Sequence, residues 1–357
     1  MNLERSFLYL SIGAFRVDSW SSQSRVKRNN PRIHTKRTVT RRYLKATMKN
    51  TLLFLALFNL CSALTIAQEC KLSQAFLQSD ADAPGGTTRV WADQTNSSLF
   101  FAEALNVNTD GTRRSYSVTD FWGTASAINN LCNAMKDACA GLTSDGLRQR
   151  RILTQQAFAG GWPADKLKET KISTDIIPFK NGRPCAPVNG FLVSATTLHA
   201  PNTQDPCDIS NYVDALEVAA VVLPKNPPNS ISGFTQRNAK VGDLVVALLP
   251  GSNNPVFAVV GDLGPSNRLG EGTVALAAKL LGKTAPPKNY NEIRGRAEFV
   301  GRGWTVPRAL VLIFPGTRDV ANPFMTTLRI DAVARTKFEA WGGVARLMVC
   351  AREYGQH

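Results

Sequence analysis

Short apolar runs punctuated by turn formers dominate the second half of the chain. From Ile172 onward, residues 191–198, 219–223, 244–249, 256–260 and 310–314 are apolar, and Pro, Gly and Asn separate them. Runs of that length and composition predict β-strands. Residues 99–122 hold short apolar and aromatic runs broken by turns and predict more strands. Helical patterning is rarer. Ala125, Ile128, Leu131, Cys132, Met135 and Cys139 recur at helical spacing and predict a helix over 124–140. The charged segment 143–170 reads as partly helical, and the Ala/Leu-rich segment 272–281 as a single interior helix. Residues 68–98 are polar, with Ala, Pro, Gly and Gly at 83–86, and read as a lead-in. The fold class expected is mainly β with a few helices, a β-rich α+β domain over 99–357.

The N-terminal stretch has a different character. Residues 1–47 are rich in Arg, Lys and Ser, and Met48-Lys-Asn then precedes a short apolar run, TLLFLALFNLCSALTIA. A positive start, a short apolar stretch and small residues at its end predict a secretory signal peptide over 48–67. Residues 1–47 then read as a non-native upstream extension, since a signal peptide belongs at a translation start. The expected location is extracellular, or periplasmic in a bacterium, with no membrane association after signal removal.

That boundary changes the charge argument. The whole chain carries +15, but 12 basic and 2 acidic residues precede Gln68, which leaves 30 basic and 25 acidic residues, a net +5. The apparent nucleic-acid signal is mostly tail, so no nucleic-acid partner is expected. Cys70, Cys132, Cys139, Cys185, Cys207 and Cys350 remain after residue 67, an even count that predicts three disulfides in a secreted domain. Cys132 with Cys139, and Cys70 with Cys350, are candidate pairs, although sequence does not choose among the connectivities. No Cys-x-x-Cys occurs, and only His199 and His357 follow residue 67, so no metal site is expected.

The chemistry concentrates between residues 245 and 282. The run at 256–260 delivers Asp262 into a Gly/Pro/Ser/Asn loop, and that loop ends at Glu271, just before the interior helix. Two carboxyls at the mouth of a strand-loop-helix unit are what a glycosidase requires, one to protonate the leaving oxygen and one to activate water or attack. A turn Asp and a Glu near a helix start are the structural alternative.

The stretch resembles the fungal-type chitosanases, glycoside hydrolase family 75. The matching residues are Gly261, Asp262, Gly264, Gly270, Glu271, Thr273, Ala275, Leu276 and Ala277. Looser matches lie at 190–198, at Tyr212, Val213, Asp214 and Ala215, at 221–224 and at 309–316, so the resemblance spans roughly residues 100–350. It implies a secreted, endo-acting hydrolase of β-1,4 bonds in chitosan, monomeric and cofactor-free. The mechanism implied is inverting, with Asp262 and Glu271 as the catalytic pair. Glu271 is assigned as acid and Asp262 as base. Asp214 is a candidate contact for a cationic amino-sugar, and Tyr116, Trp122 and Trp304 are candidates for stacking on sugar rings. The strand, functional Asp, loop and helix also suggest, by analogy, a double-psi β-barrel-like core.

One segment departs from the family. Asn106, Asn108, Asp110 and Gly111 stand where it has an acidic D-x-D-x-D-G, and Ser117 occupies the position a calcium loop gives to Glu. Two rival functions follow. One is a noncatalytic module binding cell-wall polysaccharide. The other is a peptidoglycan-cleaving enzyme, whose anionic polymer suits the positive charge. Asn96 begins a glycosylation sequon in a eukaryotic source.

Overall fold

In a computed structural model, which describes residues 69–355 apart from Pro84 and Asn96, the apolar runs become strands of one sheet. The strands in chain order are β1 (Ser73–Ser79), β2 (Thr87–Ala92), β3 (Leu99–Asn108), the short hairpin β4 (Phe179–Lys180) and β5 (Arg183–Pro184), β6 (Ala220–Pro224), β7 (Leu244–Leu248), β8 (Val256–Gly264), β9 (Glu271–Thr273) and β10 (Val306–Phe314). The main sheet runs β1-β2-β3-β10-β7-β8-β6-β9, and β9 pairs back onto β3. Six strands thus close a barrel: β3, β10, β7, β8, β6 and β9. Closure removes the free edges that an open sheet would present. Pairings β3–β9 and β6–β8 are parallel and the other barrel pairings are antiparallel. The hairpin of β1 and β2 extends the sheet by pairing with Leu99 and Phe100, on the half of β3 that β9 does not cover.

Among the described residues seven α-helices accompany the barrel: α1 (Ser144–Ala159), α2 (Ala164–Thr170), α3 (Gly233–Gln236), α4 (Val274–Leu281), α5 (Tyr290–Ile293), α6 (Thr327–Trp341) and α7 (Gly343–Tyr354). Successive side chains on a strand face opposite ways. On β7, Val245 and Ala247 join one apolar cluster with Val274, Leu276 and Leu280 of α4. Leu244, Val246 and Leu248 join another with Phe338 of α6 and Leu347 of α7. Both faces are covered, which is why β7 reads as an unbroken apolar run. Phe338 is fully buried, and truncating such a residue to Ala costs about 3–5 kcal/mol. The architecture is mainly β with a few helices, as expected.

Among the described residues three disulfides form: Cys70–Cys350, Cys132–Cys139 and Cys185–Cys207. Both candidate pairs are among them. They are consistent with an oxidising compartment, and no helix among the described residues is long and apolar enough to cross a membrane. The segments expected to be an upstream extension (1–47) and a signal peptide (48–67), the sequon residue Asn96 and His357 lie outside the described residues.

Three local expectations fail. Segment 124–140 is not an α-helix. The Asp120 carboxylate accepts N–H groups from Thr124, Ala125, Ser126 and Ala127, which bends that chain into a loop, and only a 3-10 turn at Leu131–Ala134 follows. Its apolar residues are buried by a disulfide-closed loop instead. Segment 191–198 is not a strand but irregular chain with isolated bridges from Phe191 to Val188 and from Leu192 to Tyr116, the Ser194 and Thr196 hydroxyls accepting the Gly111 and Val213 N–H groups. The presumed lead-in supplies β1 and β2.

Candidate active site

The two carboxyls predicted from the sequence sit on either side of one strand. Val222 of β6 pairs with Asp262 of β8 on one flank and with Glu271 of β9 on the other. Glu271 in turn pairs with Asn106 of β3. Asn106, Glu271, Val222 and Asp262 therefore form a row across four strands, and paired residues share a face. Neighbouring strands stand about 4.8 Å apart, so the backbones of Asp262 and Glu271 are separated by roughly 10 Å, two strand spacings.

A bulge places Asp262 in that row. Val260 pairs with Val221, yet Asp262 pairs with Val222, so Gly261 is an extra residue on β8. Without it, strict alternation would send Asp262 to the face of Val260, into the apolar cluster shared with α4. Gly261 is required by space: a Cβ there would lie 2.7 Å from the Ala220 Cβ. At Gly264 a Cβ would come within 3.1 Å of Val222 and 4.0 Å of Glu271 Oε2, so glycine leaves the approach to that carboxyl open.

The electrostatics of the two carboxyls differ. Asp262 Oδ1 accepts three hydrogen bonds, from Thr197 N–H (2.9 Å), Thr197 Oγ1 (2.6 Å) and Leu263 N–H (2.8 Å). Burial raises its pKa, and these donors oppose the rise. Burial also raises the pKa of Glu271; a hydrogen bond from Asn108 opposes that shift and the charge of Asp262 adds to it. Glu271 lies on β9, ahead of the α4 N-cap Thr273, whose Oγ1 accepts the Leu276 N–H. Helix-end effects fade beyond the first turn, so burial rather than the helix sets this group.

A third acid belongs to the site, and the sequence reading passed over it. Asp110 is pushed from 3.8 to about 8, first by burial, then by the charge of Asp262, with a smaller contribution from Glu271. The Tyr116 hydroxyl donates to its Oδ1 at 2.8 Å and resists the shift. Asp110 and Asp262 line one cavity of about 10 Å³ with Asn108, Thr196, Val213 and Gly261, a space on the scale of a single water. Asn108 links the group, accepting the Asp110 N–H (2.8 Å) while bonding Glu271. An ionised Asp at 108 would lack the amide donor, so the departure from the acidic pattern has a structural use. The available signal was the Asp-Gly retained at 110–111. Gly111 has φ +83°, and a Cβ there would strike the Val213 carbonyl at 1.9 Å.

The remaining predicted residues do other work. Trp304 is buried in the core, its Nε1 donating to Glu292 Oε1, so it offers no face to a sugar. Tyr116 is also buried and acts through its hydroxyl, as the brace of Asp110. Both stacking assignments are corrected. Asp214 accepts the Leu216 N–H at 2.9 Å and closes its own turn; burial raises its pKa. Of the three aromatics, Trp122 alone stays partly exposed. No group of three or more His, Cys, Asp or Glu side chains is arranged to hold a metal among the described residues. In comparison with known proteins, no family model and no curated protein matches this chain.

Proposed function

We propose that the protein is a secreted, endo-acting glycoside hydrolase that cuts β-1,4 bonds of chitosan or a related amino-sugar polymer with inversion. The observation that carries the reading is the register of Asp262 and Glu271 about Val222. It holds two half-buried carboxyls on one face at a backbone spacing that accommodates the roughly 6.5–9.5 Å between carboxyls that inversion requires. The resemblance of 261–277 to family 75 supports the same residues.

The roles follow from the hydrogen bonds. Asp262, with three donors on Oδ1, is the better-stabilised carboxylate and serves as base, taking a proton from water as it attacks the anomeric carbon. Glu271, raised by burial and by the charge of Asp262, keeps its proton and passes it to the leaving oxygen. The C1–O bond breaks as the water oxygen bonds C1 on the opposite face. Asp110, neutral at pH 7, adds no third charge beside the pair.

Proton NMR of the first-formed sugar tests the mechanism. Inversion delivers the α-anomer at the new reducing end. A β-anomer as first product would contradict the separated pair. The net +5 beyond residue 67 favours an anionic polymer, so release of muropeptides from purified walls, with chitosan left intact, would replace this reading with peptidoglycan cleavage.

A further inference from the structure

A second concave surface lies outside the carboxyl cluster. It is a groove of about 360 Å³ whose lining includes Trp122, Tyr290, Asn130, Asn133, Asn291 and Arg296, within the range of small-ligand sites. Its wall is rigid. The Cys132–Cys139 disulfide lines one side, and the Asp120 carboxylate, accepting four consecutive N–H groups from Thr124 to Ala127, fixes the loop that carries Trp122. Phe121 packs edge-on against the Trp122 ring at 4.7 Å.

The lining chemistry is specific. Two partly exposed aromatic rings offer apolar faces to stack on a pyranose, and three side-chain amides offer both donors and acceptors. No acidic side chain lines the groove among the described residues. The acids nearest in sequence are engaged elsewhere. Asp137 pairs with Arg150, while Glu292 accepts from Trp304 Nε1 and the Lys288 N–H. The charged group on the lining is Arg296, which is exposed and enters no ion pair among the described residues. A protonated amino-sugar would meet a like charge on the lining and no acidic side chain there, Asp120 behind the loop being taken up by four backbone N–H groups. An acetamido sugar instead presents a carbonyl to the guanidinium and an N–H to the amides.

The groove is also joined to the carboxyl cluster. Asn133 Nδ2 donates to Tyr290 OH (3.4 Å) and to Asn129 Oδ1 (2.7 Å). Asn129 Nδ2 donates to Tyr116 OH (3.2 Å), and Tyr116 donates to Asp110. We infer that this groove is a secondary binding site for uncharged N-acetylated sugar units, distinct from the carboxyl pair. Its part in handling a polymer rests on the proposed hydrolase reading, but the binding site stands by itself.

Isothermal titration calorimetry on the Asp262→Asn protein, near pH 6, separates the two. The probes are the trimers of N-acetylglucosamine and of glucosamine. The acetylated trimer is expected to bind more tightly. Trp122→Ala should weaken it about tenfold, the scale of one lost aromatic stack, and Arg296→Glu should move the preference towards the glucosamine trimer. Arg296 is exposed, so that variant keeps the inference testable if Trp122→Ala misfolds. Equal affinities in all three proteins, or tighter binding of a carboxylate-bearing sugar than of the acetylated trimer, would overturn the inference. Selective binding beside a wild type that cuts no chitosan would sink the hydrolase reading and leave the groove standing.

Discussion

At the scale of single residues, the site depends on three carboxyls whose pKa values burial raises, Asp110 furthest. Asp110 keeps its proton to about pH 8, and this has a consequence for stability. Its folded pKa is raised, so the unfolded chain releases the proton near the ordinary 3.8 while the native protein retains it. Stability from this group is full below that value and is lost as pH climbs towards 8. Asp262 and Glu271 are shifted in the same direction. The melting temperature of wild type should therefore fall between pH 4 and 8, and Asp110→Asn should flatten part of that fall. A variant as steep as wild type would contradict the assignment. Tyr116→Phe leaves a buried carboxyl one donor short and should cost about 1–3 kcal/mol, measured by urea unfolding. Asp110 escaped the sequence reading because its segment was compared with a calcium loop, and that comparison fails at Ser117. What singles it out is proximity to Asp262, which lies 152 positions away in sequence.

Among elements, the bulge at Gly261 decides which face Asp262 takes. Gly261→Ala would press a methyl against the Ala220 Cβ, 2.7 Å away. Such overpacking costs about 1–3 kcal/mol, and activity should fall with it because β8 must shift against β6. Loss of stability with full activity would show that the bulge does not aim the carboxyl. β7, β8 and β10 were legible in sequence because each buries consecutive residues and so reads as an apolar run. β2 was not: Thr88, Val90 and Ala92 are buried while Thr87 and Arg89 are exposed, and that alternation is masked by polar residues. The false helix at 124–140 shows the opposite error, since a disulfide-closed loop buries the same apolar positions that a helix would. The pairing of Asp262 and Glu271 across Val222 was beyond local patterns, because β6 enters from forty residues upstream of Asp262.

For the whole molecule, closure is completed covalently. Cys70–Cys350 joins positions 280 residues apart and ties the start of the hairpin to α7, where Tyr354 OH also donates to the Cys70 carbonyl at 3.1 Å. Replacing both cysteines by Ala should lower stability by about 2–4 kcal/mol, read as a lower urea midpoint, with the carboxyl site intact. The modest positive charge beyond residue 67 does not by itself attract a polycation, and on the proposed reading Asp262 is the one member of the acid cluster that carries charge towards a cationic sugar. Higher salt should then change binding little, because a single half-buried carboxylate leaves little exposed charge to screen.

The most direct test of the account is product release from highly deacetylated chitosan at mildly acidic pH, run on wild type, Asp262→Asn and Glu271→Gln side by side. Wild type should yield short glucosamine oligomers. Each variant should fold with an unchanged circular dichroism spectrum and lose about 10²–10⁴-fold in rate. Comparable oligomer release from either folded variant, or none from folded wild type, would contradict the claim that these two carboxyls form a hydrolytic pair.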